Sequence, residues 1–251
     1  MALAEVKILI EGYTNADFVA ETGEEKTCPT ISLVRDRNIL MVVDPGILEN
    51  RQVLVDKLKE EGLSIDDINI VCITHSHLDH YRNIGMFEKA KTLEYFGLWD
   101  KNNVENWKEQ FTENIQILRT PGHERTSITL FIKTEKGVVA VCGDVFWKEN
   151  YPKEDFFAED QEKLKESRRL VYKMADWVIP GHGPIFKTKG RINTEEQGLQ
   201  TKRMFNDFGS CRKCRRPFLK TEDRCQCRPK ICYHCCECDW DCNLCNCSHK
   251  K

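Results

Sequence analysis

The sequence lacks long hydrophobic runs, and most of its length has little cysteine. No apolar stretch approaches the ~18–20 residues of a membrane-spanning helix, and Glu5 and Lys7 already interrupt the N-terminus, so we expect neither a membrane span nor an export signal. Of 14 cysteines in 251 residues, eleven lie in residues 211–251. Dense cysteine in a reducing compartment more often holds metal than forms disulfides. We therefore expect a cytoplasmic protein, with the nucleus as the alternative in a eukaryotic cell, and no membrane partner.

An excess of charge of one sign is also lacking. The 38 Lys and Arg residues face 40 Asp and Glu residues, a net charge of -2, so the total charge selects no class of partner. The balance is uneven along the chain, since residues 209–251 carry +5 and residues 1–208 carry -7. A basic segment is therefore attached to an acidic body.

Residues 1–210 alternate short apolar runs with helical patterns. Seven β-branched runs of strand length predict strands: Val6–Ile10, Thr30–Val34, Ile39–Val43, Ile68–Ile73, Ile115–Leu118, Ile128–Ile132 and Val138–Val141. Apolar residues at helical spacing predict helices over Asn50–Glu61 and Glu159–Met174. The pattern favours sheets covered on their outer faces by helices, in the layered α/β or α+β class.

A change of composition near residue 209 predicts a domain boundary. Thr194–Phe208 has a helical pattern with Thr194 as its N-cap, and Gly209-Ser210 then indicates a hinge. Beyond the hinge aliphatic residues almost vanish, so this segment cannot build an apolar core and needs a staple. We predict a main domain over residues 1–208 and a small zinc-stapled module over residues 209–251.

The strongest motif directly follows a buried strand. His75, His77, Asp79 and His80 lie within six residues, immediately after the apolar run Ile70–Ile73. Loops at strand ends carry function, and imidazole and carboxylate groups are zinc ligands. Four such side chains exceed the number that one ion with an open position needs. The motif therefore indicates more than one metal ion.

Three further candidate ligands stand in similar contexts. His123 and His182 each follow a glycine after an apolar run, and Asp144 follows Val141-Cys142-Gly143 in the same strand-then-loop pattern. Five of the seven histidines in the chain thus belong to the motif or to these contexts. This concentration favours a single metal centre built from distant parts of the chain.

In order and spacing these residues resemble the metallo-β-lactamase superfamily over about residues 1–208. The resemblance implies an α+β fold, an αββα sandwich of two mixed sheets with the active site along one edge. It also implies that Asp44, in the turn Asp44-Pro45-Gly46, braces the metal-binding loop, and that Asp79 is a catalytic residue. The implied ligands are His75, His77 and His123 for a first metal ion, Asp79, His80 and His182 for a second, and Asp144 as a bridge between the two.

Two metal ions in such a site predict hydrolysis without a Ser or Cys nucleophile. Two ions ~3.5–4 Å apart lower the pKa of a shared water, so that a metal-bridging hydroxide exists near neutral pH, and they polarise the bond under attack. The donors suit zinc, with iron or manganese as alternatives. We expect Cys28, Cys72 and Cys142 to be structural thiols.

Two residues near the motif have two interpretations each. Arg82 stands where the superfamily often has a small residue, and it either shapes the pocket for an anionic substrate or forms a surface ion pair. Trp147 follows Asp144 closely and either rims the site or packs in the core. The sequence leaves both pairs open.

The sequence around the candidate ligands limits the classes of substrate that we expect. Only 37 residues separate Asp144 from His182, too few for the inserted β-CASP module of nucleic-acid-cleaving members, and the helical domain of the glyoxalase-II group is missing. Arg119–Ser127, Val139–Trp147 and the compact length resemble most the metallo-β-lactamase domain-containing protein 1 subgroup, which is associated with endoribonucleolytic cleavage of histone pre-mRNA. We therefore expect an endoribonuclease-type phosphodiesterase with RNA as substrate.

Two other functions stay open. The first is a thioester or lactone hydrolase acting on a small ester or thioester, as compact members of the superfamily often do. The second, of another class, is a binding or adaptor protein that acts through its C-terminal module. An oligomer is compatible with each of these functions.

The cysteine-rich end predicts zinc sites of its own. The pairs Cys211/Cys214 and Cys232/Cys235 are separated by 17 residues, which is typical of a zinc ribbon. A second site between them would make the pairs alternate, as in a cross-brace. The candidate ligands of about two zinc ions are Cys211, Cys214, Cys225, Cys227, Cys232, Cys235, Cys242 and Cys245.

The same end has the composition of a recognition module. Its net charge of +5, with Tyr233 and Trp240, favours contact with RNA or protein. Eight thiolates around two zinc ions contribute about -4, so the positive charge alternatively balances the module's own metal sites. A metal-buffering cluster with shared thiolates is a third interpretation.

Overall fold

The computed structural model describes residues 2–16 and 25–188, together with two short strands at 208–210 and 217–219. The chain divides into two units, Met1–Arg191 and Ile192–Lys251. In the second unit Phe208–Ser210 pairs antiparallel with Pro217–Leu219. Gly209 and Ser210, where the sequence predicts a hinge, lie in the first of these two strands, and the predicted boundary at residue 208 stays a prediction. Residues 194–207 of the predicted helix, and the eight predicted cysteine ligands, lie outside the described residues.

The first unit alternates strands with few helices, as its sequence predicts. The elements in chain order are β1 (Glu5–Ile10), β2 (Tyr13–Thr14), β3 (Thr27–Cys28), β4 (Ile31–Asp36), β5 (Ile39–Val43), α1 (Gln52–Glu60), β6 (Ile70–Cys72), α2 (Leu78–Tyr81), β7 (Lys91–Glu94), β8 (Gly97–Asp100), β9 (Asn103–Glu105), β10 (Ile115–Arg119), β11 (Ile128–Thr134), β12 (Gly137–Val141), α3 (Gln161–Met174), β13 (Trp177–Ile179) and β14 (Phe186–Lys187). Among the described residues no helix has both the length and the apolar composition to span a membrane.

Two mixed sheets carry the fold. The first has the order β1-β4-β5-β6-β7-β8-β9, and the second has the order β10-β11-β12-β13-β14. In the first sheet β5, β6 and β7 run parallel, and in the second β12 and β13 do. Since loops at the carboxyl ends of parallel strands form ligand sites, the loops after β5, β6, β12 and β13 are the candidate positions.

The hydrophobic core lies between the sheets. Its buried side chains include Val34, Met41, Val43 and Leu93 from the first sheet and Ile117, Leu130, Ile132 and Val141 from the second. Successive residues of a strand point to opposite faces; Val34 faces this core, whereas Leu33 faces a second cluster. The burial of both strand faces explains why β4 is apolar on both sides.

A helix covers the outer face of each sheet. Leu54 and Leu58, one turn apart on α1, are buried in the second cluster together with Leu33. On the other side α3 lies against β12 and buries Leu164 and Val171. The order helix, sheet, sheet, helix confirms the predicted αββα sandwich.

Candidate metal centre

The seven candidate ligands lie in loops at strand ends. The motif from His75 to His80 follows β6, and Asp144 and His182 follow the parallel strands β12 and β13. His123 lies in the loop between β10 and β11. The fold thus brings together, from five segments of sequence that include Asp44 after β5, the groups that the sequence predicts.

The first group consists of His75, His77, His123 and Asp144. His77 Nδ1 lies 3.1 Å from His75 Nε2 and 2.9 Å from His123 Nε2. Asp144 Oδ2 lies 3.8 Å from His75 Nε2 and 3.4 Å from His123 Nε2. All four donor atoms are within 4.8 Å of one another, so the group could hold one metal ion.

The second group consists of Asp79, His80 and His182. The Nε2 atoms of His80 and His182 are 3.4 Å apart, and Asp79 Oδ2 lies 3.8 Å and 3.5 Å from them. Asp144 reaches this group as well, since its Oδ1 is 3.3 Å from His80 Nε2 and its Oδ2 is 3.3 Å from His182 Nε2. The Asp144 carboxylate therefore lies between the two groups.

The donor set fits metal ions. Ligands ~2.0–2.1 Å from a tetrahedral zinc ion stand ~3.3 Å from one another, and the pairs of donor atoms given above are 2.9–3.8 Å apart. Asp144 Oδ1 is buried and accepts no hydrogen bond. Because a buried carboxylate oxygen without a partner costs free energy, the arrangement favours a cation at this point.

Asp44 fixes the orientation of the first motif. Its Oδ1 accepts from the Thr74 amide at 2.8 Å, and its Oδ2 accepts from Thr74 Oγ1 at 2.7 Å and from His80 Nδ1 at 2.8 Å. The Thr74 hydroxyl gives its proton to Asp44, so its oxygen accepts from His75 Nδ1 at 3.1 Å. Both rings therefore carry the proton on Nδ1 and turn the Nε2 lone pair toward the centre.

Two contacts that the sequence analysis missed orient His123 and His182. His123 Nδ1 donates to Asp155 Oδ2 at 2.6 Å, and His182 Nδ1 donates to the Cys28 carbonyl at 3.0 Å. Asp155 is fully buried, yet in the sequence it follows Lys153-Glu154 in a loop and resembles a surface charge. Its only signal is burial, which the sequence does not show.

The electrostatics of the side chains call for positive charge at the centre. Burial, together with the neighbouring His80, lowers the pKa of His75 well below its usual value. Burial acts the same way on His80 and His182, but the Asp144 carboxylate, joined by Asp44 at His80, outweighs it and raises the pKa of both. Despite its own burial, Asp144 has a pKa held well below the ordinary range by His182 and His80. A low pKa favours the charged form of this carboxylate, which in turn favours a cation at the centre.

Two glycines make room for the ligands. A Cβ on Gly181 would lie 1.8 Å from Asp144 Oδ1. Gly143 has a φ of +50°, and a Cβ there would lie 2.2 Å from Thr74 Oγ1. A side chain at either position would displace a group that the centre depends on.

The two residues left open in the sequence take different positions. Arg82 is exposed at the C-terminal end of α2. Trp147 is only 3% exposed and packs its ring against Phe157 at 5.8 Å and beside the candidate ligand His123 at 6.5 Å. Trp147 is therefore a core side chain that supports the first group.

The three cysteines of the first unit have no role as ligands in either group. Cys28, Cys72 and Cys142 are free and buried. Burial raises the pKa of all three thiols, that of Cys28 to about 11. They are structural, as expected.

A cavity of about 260 Å³ adjoins the motif on the side of His75. It touches His75 and Ser76, and its walls include Tyr81, Tyr95 and Phe96. Glu94 also lines it, but its carboxylate accepts hydrogen bonds from the Phe96 amide and the Trp99 indole. No lysine or arginine is among the described residues that line it. The cavity thus presents a mainly apolar, aromatic wall.

Several known sequences that resemble this chain are metallo-β-lactamase domain proteins or metallo-hydrolases by name. Residues 29–101 match the Metallo-beta-lactamase superfamily. Metallo-beta-lactamase domain-containing protein 1 of Xenopus laevis is 30% identical over 197 residues, which cover 72% of this chain and 81% of the relative. A protein of Methanocaldococcus jannaschii with the name "Probable metallo-hydrolase" is 30% identical over 195 residues, which cover 73% of this chain and 90% of the relative.

Solved structures share the fold. A protein of Thermotoga maritima described as a metallo-beta-lactamase aligns with a TM-score of 0.60 at 23% identity, over 74% of this chain and 99% of the other. An N-acyl homoserine lactone hydrolase aligns with a TM-score of 0.54 at 19% identity, over 72% and 94%. At such identities the likeness concerns the fold alone.

Proposed function

The chain belongs to the metallo-β-lactamase superfamily and is a metal-dependent hydrolase, and from that premise we propose that it works with two divalent ions, zinc by preference. One observation carries the proposal: the Asp144 carboxylate lies between two complete groups of donors, 3.4 Å from His123 and 3.3 Å from His182. When bound, two ions would lower the pKa of a shared water and polarise the bond under attack. Iron or manganese are the alternatives.

The side chains of the two groups have different tasks. The Asp144 side chain is 6% exposed, so its task is to hold the ions and to balance their charge. The Asp79 side chain is 18% exposed and lies nearer to solvent. Thr27 Oγ1 donates to Asp79 Oδ2 at 3.1 Å and keeps that oxygen turned toward the second group. Asp79 is therefore the carboxylate best placed to hold or pass on a proton at the substrate.

The first candidate reaction is cleavage of an RNA phosphodiester bond. It is supported by Arg119–Ser127 and Val139–Trp147, the segments that resemble the metallo-β-lactamase domain-containing protein 1 subgroup, and by the relatives of that name. The net charge of +5 in residues 209–251 suits a polyanion. RNA, with a contact through the C-terminal segment, is the substrate that we propose first.

A second candidate, hydrolysis of a thioester or lactone, is favoured by the cavity beside His75. Its aromatic wall, with Tyr95 and Phe96 and without a described lysine or arginine, suits an acyl chain better than a phosphate. The same metal chemistry serves a carbonyl carbon, because polarisation and hydroxide attack are common to both reactions.

One assay separates the two candidates. The zinc-loaded full chain is given single-stranded and structured RNA and, in parallel, a panel of thioesters and lactones, with Asp79→Ala as control. We expect RNA cleavage that Asp79→Ala abolishes. Turnover of the acyl panel without RNA cleavage selects the second candidate, and Phe96→Ala should then lower its kcat/KM. Hydrolysis of neither class, or hydrolysis that Asp79→Ala retains, overturns both.

A further inference from the structure

Glu124 makes a contact with the first motif that the ligand set does not include. It directly follows His123, and its carboxylate accepts from the Ser76 amide at 2.7 Å, from Ser76 Oγ at 2.8 Å and from Thr126 Oγ1 at 3.0 Å. Ser76 is the one residue between His75 and His77. Glu124 therefore bonds to the centre of the His-x-His segment.

This contact connects two loops that belong to different sheets. The loop with His75 and His77 follows β6 of the first sheet, and the loop with His123 joins β10 to β11 of the second. The shortest separation in the first group, 2.9 Å between His77 Nδ1 and His123 Nε2, spans the same two loops. The distance between these donors thus depends on what holds the loops together.

The contact uses the negative charge of the Glu124 carboxylate. The Ser76 amide and the hydroxyls of Ser76 and Thr126 all donate, so both carboxylate oxygens must accept. Charge-assisted hydrogen bonds of this kind are about twice as strong as neutral ones. In Glu124→Gln the amide oxygen can still accept from the Ser76 amide, but the negative charge is lost and the NH₂ group can only donate, so the Ser76 hydroxyl must turn from donor to acceptor.

We propose that Glu124 is a positioning residue that ties the His75–His77 loop to the His123 loop and thereby sets the affinity of the first metal site without touching the ion. The inference rests on the proposed two-metal function. It assigns Glu124 to the first group alone, because the bonds described for its carboxylate go to Ser76 and Thr126 and none to Asp79, His80 or His182.

The test is zinc binding by Glu124→Gln, measured as bound Zn²⁺ per chain in competition with a chelator. We expect the first site to weaken about 10- to 100-fold, as such supporting contacts do, while the second site stays within about threefold of the native value. In a His182→Ala background, which removes a ligand of the second group, adding Glu124→Gln should abolish the remaining zinc of the first unit at limiting Zn²⁺.

Glu159→Gln is the matched control. It is the same substitution at a carboxylate that accepts from the backbone amide and the guanidinium of Arg125 in the same loop, at 2.8 Å and 3.1 Å, with no bond to Ser76. It should leave both sites as they are. Melting of the zinc-free proteins gives the second readout, since a purely structural role would lower the melting temperature of Glu124→Gln without changing the ratio of the two affinities.

The outcomes are distinct. A native chain that binds no zinc in its first unit contradicts the proposed function itself. Two native sites with Glu124→Gln unchanged, or with both sites weakened equally, overturn the role of Glu124 and leave the two-metal function standing. Selective loss of the first site supports the inference.

Discussion

The hydrogen bond at the ring nitrogen that faces away from the metal site orients a histidine ligand and affects its affinity for the ion. Asp155 accepts from His123 Nδ1 at 2.6 Å and is fully buried. In Asp155→Asn the amide has the same size but no charge, and its NH₂ group competes for Nδ1, so the ring loses its preference for a lone pair on Nε2. We expect about 10- to 100-fold weaker zinc binding by the first group, measured by chelator competition.

Glu154→Gln is the control for that change. Glu154 precedes Asp155 and is exposed, so the loss of its charge should leave zinc binding as it is. If Asp155→Asn binds zinc as tightly as Glu154→Gln, the contact with His123 does not orient the ligand.

The Asp144 carboxylate has room at its position only because residue 181 is a glycine. In Gly181→Ala the new Cβ would overlap Asp144 Oδ1 at 1.8 Å, and the carboxylate must leave its position between the groups. We expect bound zinc in the first unit to fall from two ions toward one or none, with a loss of about 1–3 kcal/mol in the free energy of unfolding. Metal analysis and urea unfolding measure the two effects.

Gly85→Ala is the matched substitution. No atom lies within 4 Å of a Cβ at Gly85, so the metal content should not change and stability should change by less than about 1 kcal/mol. Equal metal content in both variants would contradict the tight fit around Asp144.

The sequence predicts the ligands better than the residues that support them. His75, His77, Asp79 and His80 are neighbours in sequence, and spacing alone makes them visible. Asp155 and Glu124 act through partners 32 and 48 residues away. A carboxylate in a polar loop has no local pattern that distinguishes a buried acceptor from a solvated charge. The contacts of these two residues could therefore be recognised only in the three-dimensional structure.

At the scale of elements, α3 begins at a well-formed cap. Asp160 Oδ1 accepts from the amides of Glu162 and Lys163 at 3.1 Å and 3.0 Å. These bonds from the first turn, that of Lys163 first, lower the pKa of Asp160. We expect Asp160→Ala to reduce the free energy of unfolding by about 1 kcal/mol, measured by urea unfolding of the zinc-loaded protein at pH 7.

The same cap predicts a pH dependence. Because the folded pKa of Asp160 is lower than the unfolded one, its stabilisation is complete above the unfolded pKa of about 3.9 and disappears as the pH falls through the folded pKa. Asp160→Asn keeps an acceptor for the amides but has no charge to titrate. The difference between the native protein and Asp160→Ala should therefore shrink in acid, while that between Asp160→Asn and Asp160→Ala stays constant; parallel curves would contradict the assignment.

Apolar periodicity predicts elements where one face or both are buried. All seven predicted strands and both helices of the first unit are present, with ends within two residues of the predicted ones. Seven further strands among the described residues of this unit were not predicted: β2, β3, β13 and β14, which have only two or three residues, and β7, β8 and β9, whose sequences Lys-Thr-Leu-Glu, Gly-Leu-Trp-Asp and Asn-Val-Glu are short and largely polar. The strands β7, β8 and β9 extend the first sheet toward its exposed edge, where pairing rather than burial decides the conformation.

At the scale of the whole molecule, the net charge of -2 conceals an acidic body and a basic end. An acidic metal hydrolase that cleaves a polyanion gains from a basic segment in the same chain, because the segment raises the local concentration of substrate. The adaptor interpretation uses the same residues for a protein partner. Both the RNA and the adaptor interpretations require that positive charge be left over in residues 209–251 after the zinc-bound thiolates have neutralised part of it.

Zinc stoichiometry decides whether the end is a metal module. The spacing of Cys211, Cys214, Cys232 and Cys235 predicts a ribbon site, and a second site gives about four zinc ions in the full chain. Metal analysis of Cys211→Ser with Cys214→Ser should show about one ion fewer, with hydrolysis by the first unit retained. Cys236→Ser, outside the eight predicted ligands, is the control and should keep all the zinc. If Cys236→Ser loses zinc as well, the thiolates form a shared cluster; if neither variant loses zinc, the end is not a zinc module and its +5 charge is free for a partner.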